Sequence, residues 1–104
     1  MNNHVMLVGG INDDIEKIEE DEITTYKLIL NIGRNFKNQD GEYETDFIPI
    51  ELINSIGDTI FKYCNKGDLV GIRGRIESTE DKIIKIIAEK VTFLSNNKNL
   101  VSQN

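Results

Sequence analysis

Cations and aromatic rings interleave over a short span of this chain. The stretch "GRNFK" brings Arg34, Phe36 and Lys37 together, Tyr43 follows, and Phe47 stands inside "TDFIPIEL". Positive charge beside a flat apolar face suits a polyanion whose units carry planar rings. The cations meet phosphates, and each stacked ring is worth roughly 1–3 kcal/mol. On an alternating strand, Phe47 shares a face with Pro49 and Glu51, and Ile48, Ile50 and Leu52 take the other. Phe47 then points outward as a stacking platform; a core position in a shifted register is the alternative. Arg73 and Arg75 alternate with Ile72 and Ile76, so both point outward, as phosphate contacts or simply as solvated side chains. Lys27 faces away from Tyr26 and Leu28 and adds a cation. Tyr43 belongs to the loop and lines the groove or is solvated.

Other chemistry has little material. The chain holds one His (His4) and one Cys (Cys64), far apart, which leaves no cysteine-built metal site and no intramolecular disulfide. The glycines at 67, 71 and 74 lack the phosphate-loop pattern and suit the bends of a small barrel. No cluster of carboxylates with His or Lys suggests a hydrolase. The reading is a non-enzymatic protein with no cofactor and no metal.

These residues need a scaffold. A chain of 104 residues is a single domain by length. It has no apolar run long enough for a bilayer and no signal-peptide pattern. Net charge is −6, which by itself argues against nucleic acid. Yet 7 of the 18 acidic side chains and 1 of the 12 basic ones lie between Asp13 and Glu22, leaving 11 of each elsewhere. The remainder is neutral, so a locally basic groove is compatible with the total.

"HVMLVGGI" reads as a largely buried strand ending at Gly9-Gly10. "IEKIEEDEITTYKLILNI" reads as an acidic hairpin turning near Glu20 to Glu22 and feeding a long second strand. "RNFKNQDGEYE" reads as a loop with turn signals at Asn38 and Asp40-Gly41. "TDFIPIEL" is the third strand, with Pro49 marking an edge or a bulge. In "INSIGDTIFKYCNKGD", Ile53, Ile56, Ile60 and Cys64 recur at helical spacing, with Asn54 or Ser55 to cap the start and Gly67 to close the end. "LVGIRGRIES" and "KIIKIIAEKVTFLS" are two further strands joined at "TED". Residues 1–95 form the domain, and 96–104 are a polar tail expected to be disordered. Three strands, a helix and two strands give the order of an all-β fold with one helix, the five-stranded Greek-key barrel called the OB-fold.

Four ordered stretches, "NHVMLVGGI", "GRNFKNQDGEYETDFIPIEL", "YCNKGDLVGIRGRIES" and "AEKVTFLS", resemble successive motifs of the bacterial single-stranded DNA-binding proteins. The short Gram-positive and mobile-element versions are the most similar. The resemblance covers roughly residues 2 to 95 and is weakest at the acidic hairpin. It implies an OB-fold that pairs through its first strand into dimers and further into a homotetramer. It also implies sequence-independent binding of single-stranded DNA in replication, recombination or repair, in the cytoplasm with the nucleoid. Phe36 and Phe47 fall where two of the family's binding aromatics sit, and Ile53 where another would be. The family's tryptophans are missing, and the last hairpin is acidic at Glu77, Glu80 and Asp81. The acidic C-terminal tip that recruits repair enzymes is also absent, so such recruitment is not expected.

Together these readings assign Lys27, Arg34, Phe36, Lys37, Tyr43, Phe47, Arg73 and Arg75 to single-stranded DNA. They assign His4, Val5, Met6, Leu7 and Val8 to a contact between copies, since an apolar unpaired strand edge needs a cover. The rival is a primosome-accessory-like OB module that acts mainly on other proteins, favoured by the acidic hairpin and the lost tryptophans.

Overall fold

The computed structural model describes residues 1–95; the expected tail, 96–104, lies outside them. Six strands and one helix follow in the order β1 (Val5–Ile11), β2 (Glu16–Glu20), β3 (Ile23–Lys37), β4 (Tyr43–Ile53), α1 (Asn54–Tyr63), β5 (Leu69–Ser78) and β6 (Ile84–Ser95). The sheet runs β1-β5-β6-β4-β3-β2, and β1 also pairs β3. That second pairing closes β1, β3, β4, β6 and β5 into a five-stranded barrel, with β2 appended outside. All pairs are antiparallel except β4 with β6. The expected OB barrel is present, with one additional strand from the acidic hairpin.

Alternation builds the core. Tyr26, Leu28 and Leu30 of β3 face Leu52, Ile50 and Ile48 of β4 in register, and all but the half-buried Ile48 are fully buried. Val70 and Ile72 of β5 complete the wall. Helix α1 lies against β3, β4 and β6 and inserts Ile56 and Ile60 into the core, with Cys64 just beyond it. Burial, with the nearby Asp68 charge, raises the Cys64 thiol above its ordinary pKa.

Several local expectations need correction. The helix carries no side-chain cap: Ile53, the last residue of β4, is its N-cap in extended backbone, leaving no loop for a capping residue. Gly67 does not close it either, because the helix ends at Cys64. Gly67 adopts φ +95° further on, where its N–H donates to the Ile11 carbonyl. Strand β1 is not largely buried in the single chain: Met6 and Val8 are exposed, while Val5 and Leu7 are half-buried. His4 precedes β1 rather than lying in it.

The expected loop from Arg34 to Glu44 is mostly strand. β3 continues to Lys37 and β4 starts at Tyr43, with a bulge between Gly33 and Lys37. Only Asn38 to Glu42 turn. The Asn38 side-chain oxygen accepts from the N–H groups of Asp40 at 2.9 Å and Glu42 at 3.0 Å, and Gly41 takes φ +78°. The acidic hairpin turns as expected, with Asp21 and Glu22 both at positive φ. Pro49 pairs Ile29 on one side, and the β6 ladder on its other side begins only at Ile50. Its missing N–H falls where no second ladder needs it.

Candidate nucleic-acid interface

One groove gathers much of the chemistry. It encloses about 570 Å³ and runs between the outer face of β3 and β4 and the tip of the β5–β6 hairpin. Phe47, Pro49, Lys27 and Glu51 line one wall; Ile83, Ile84, Lys85 and Ile86 line the other, and Ile18 of β2 lies at the margin. Phe47 is 59% exposed, directly beside the half-buried Ile48 and two residues from fully buried Ile50. The outward assignment therefore holds, and the core alternative for Phe47 is excluded.

The hairpin tip is held by Thr79. Its carbonyl accepts from the Lys82 N–H at 2.9 Å, its hydroxyl accepts from the Ile83 N–H at 3.1 Å, and Lys82 adopts positive φ. This turn projects Ile83 and Ile84, 62% and 67% exposed, across from Phe47. Sequence reasoning registered only the acidic residues here. The signal was present in "KIIKII": two adjacent pairs of isoleucine on one strand cannot all face the core.

The remaining assigned residues are dispersed. Lys27 is in the groove. Arg34, Phe36, Lys37 and Tyr43 stand on the long distal extension of the β3–β4 hairpin, outside it. There Lys37 and Tyr43 are register partners, with the ammonium 5.8 Å from the ring centroid, and Phe36 and Tyr43 are both well exposed. Arg75 lies on β5 opposite Ile87, whose other neighbour is Glu51, so it borders the groove's row. Arg73 does not. It is bracketed by Met6 of β1 and Lys90 of β6, on the strand-one side of the barrel.

Arg34 and Arg75 are already held by carboxylates. Arg34 donates from Nη1 to Glu44 at 2.8 Å and from Nη2 to Asp46 at 2.9 Å, with Nε also directed at Asp46. Arg75 donates to Glu77 at 2.6 Å and to Glu89 at 3.1 Å. The hydrogen bonds to Asp46 and to Glu77 raise the respective guanidinium pKa values further, and the Arg34 bond lowers that of Asp46. The shifts of Arg34, Arg75 and Asp46 all favour their charged forms. Sequence spacing did not reveal them, since Asp46 and Glu89 reach their arginines only through strand register.

No group of three or more His, Cys, Asp or Glu is placed to hold a metal among the described residues. No helix among them is long and apolar enough to cross a membrane. Residues 2–94 match the single-strand binding protein family. The chain belongs to that family. Its relatives include single-stranded DNA-binding protein B of Bacillus subtilis, 32% identical over 90% of this chain and 91% of that one. Single-stranded DNA-binding protein 1 of Streptococcus pyogenes is 29% identical over 95% of this chain and 83% of its own. Among solved structures, a Plasmodium falciparum SSB in complex with ssDNA aligns at TM-score 0.73 and 24% identity, over 91% of this chain and 96% of that one. A small single-stranded DNA-binding protein from Streptomyces coelicolor aligns at TM-score 0.71 and 14% identity, over 90% and 95%. These two likenesses show the same barrel fold.

Proposed function

We propose that this chain binds single-stranded DNA without reading its sequence, as a non-enzymatic member of its family serving replication, recombination or repair. The observation that carries this reading is the groove between Phe47 and the isoleucine pair Ile83–Ile84. A strand laid there stacks bases on the Phe47 ring and buries ring edges against the hairpin tip, which every base permits equally. Lys27 and Lys85 supply positive charge within the groove. Phe36, Lys37 and Tyr43 offer a second ring-and-cation station on the distal hairpin, and Arg75 flanks the row. Arg73 belongs instead with strand one.

The working unit in this proposal is a homo-oligomer built on β1, at least a dimer and further a tetramer, located in the cytoplasm with the nucleoid. Supporting it, Val5 to Val8 pair β5 on one side and, among the described residues, have no register partner on the other. Met6 on the same stretch is 80% exposed. The primosome-accessory reading is not favoured, since the matching family and the named relatives are described by single-strand binding. Titration with a fluorescent oligothymidine tests the proposal: saturable binding supports it, and no binding at micromolar protein overturns it.

A further inference from the structure

A row of alternating charge leads from β2 into the groove and across to its second wall. Glu16 of β2 stands opposite Lys27 of β3, and Lys27 opposite Glu51 of β4. Lys85 of β6 ends the series with its ammonium 3.7 Å from the Glu51 carboxylate. Lys27 is the register partner of Glu51 on the other side, but the ion pair that Glu51 makes is with Lys85. Lys27, Glu51 and Lys85 all line the groove, and Glu51 is 26% exposed, the best shielded of the ion-paired carboxylates described. A site for a polyanion thus carries its own anion between its two cations. Arg34 and Arg75, outside it, are each held by two carboxylates.

We propose that Glu51 is a specificity-determining residue that sets this groove against duplex DNA, by pairing with Lys85, which phosphate would otherwise use. The inference rests on the single-strand reading above and names how the same groove discriminates. A duplex hides its bases in the stack and offers a dense phosphate array, so its non-specific affinity comes almost entirely from cations. A single strand also offers base faces to Phe47, Ile83 and Ile84. A carboxylate paired with one of the two groove lysines lowers the positive charge open to phosphate, which takes a larger share of the duplex's gain than of the single strand's. Specificity then arises from an unfavourable element rather than an added contact.

The test compares the parent chain, Glu51→Gln and Glu51→Gln/Lys85→Gln on oligothymidine and on a hairpin duplex of equal phosphate count, across a salt series with thermal melts alongside. Glu51→Gln is expected to narrow the single-strand preference by roughly three- to tenfold through gained duplex affinity. The slope of log affinity against log salt for duplex should steepen by on the order of 0.9 per lysine released. Removing Lys85 as well should reverse most of that gain. A folded Glu51→Gln protein with unchanged preference and slope overturns the proposal, as does a loss of single-strand binding, which would make Glu51 a contact for the strand. If the parent binds no single strand, the function reading fails by itself, and the duplex arm still decides the electrostatic role of Glu51. Should Glu51→Gln melt early, Lys85→Gln alone decides: nearly unchanged duplex affinity supports a lysine already taken by Glu51, and a large loss of duplex affinity overturns the proposal.

Discussion

A side chain on Gly57 would overlap the ring of Tyr26. Gly57 lies in the first turns of α1, and Tyr26 rises beneath it from β3, packs 5.2 Å from the Phe61 ring and donates its hydroxyl to Asp58 at 2.5 Å. That hydrogen bond first, then burial, raises the Tyr26 phenol above its ordinary pKa. Contact this close seats the helix on the end of the barrel.

Gly57→Ala should therefore destabilise the fold. Alanine gains about 1 kcal/mol of intrinsic helix preference over glycine, and overpacking a tight site costs about 1–3 kcal/mol. Forcing the helix off Tyr26 should bring the net effect out as a lowered melting temperature. A raised melting temperature would show that the Tyr26 ring yields freely.

Phe47→Ala should separate binding from folding. The ring is mostly exposed, so its loss should leave the melt near normal while weakening single-strand binding by roughly 1–3 kcal/mol. Replacing Ile83 and Ile84 together by alanine should behave in the same way, because both are exposed at the hairpin tip. A collapsed melt with intact binding per folded molecule would contradict the stacking assignment.

Arg34→Ala should flatten the salt dependence by less than the 0.7 or so expected for a free phosphate contact on a single strand. Its guanidinium already faces Glu44 and Asp46. The substitution should still weaken binding, since it leaves two carboxylates unopposed; adding Glu44→Gln and Asp46→Asn should restore affinity toward the parent value. The sign of the pH effect follows from the lowered Asp46 pKa. Its contribution to stability is complete above the unfolded-state value and is lost as pH falls through the folded-state value. Melting temperatures between about pH 6 and pH 8 should thus not register the clamp, and acid titration should.

Val8→Glu should yield a monomer by light scattering if β1 carries the contact between copies. Val8 is exposed, stands opposite Gly71 rather than a cation, and lies on a stretch whose second edge has no register partner among the described residues, so a charge there would be buried on assembly with no directly opposed counterion. An oligomer that survives this substitution would place the contact elsewhere.

Local alternation was enough to place Tyr26, Leu28, Ile50 and Leu52 inside and Phe47 outside, because a period of two leaves each side chain one of two faces. Turn chemistry located both hairpins of the first half through Glu20 to Glu22 and Asp40-Gly41. What escaped depends on register between distant residues. The distal hairpin was read as loop because its residues are polar, yet it stays paired, with the Arg34 clamp on Glu44 and Asp46 and the Asn38 turn spanning it. The same holds for Glu51, whose meaning appears only when Lys85 arrives from a strand more than thirty residues later. The helix start escaped for a different reason: β4 runs straight into α1, so no capping residue is used.

The barrel is not equally fastened all round. β4 meets β6 through three register pairs, Ile50 with Ile86, Glu51 with Ile87 and Leu52 with Ala88, whereas β6 is bound to β5 along ten. The β5–β6 hairpin is therefore a lever hinged on a short seam, and its free arm carries Ile83 and Ile84. Small rotations about that seam cost few hydrogen bonds, yet they change the gap between the isoleucines and Phe47 directly. The seam that closes the barrel between β1 and β3 is shorter still, at two register pairs, so the ladders on both sides of the β1–β5–β6 unit are the thinnest in the barrel.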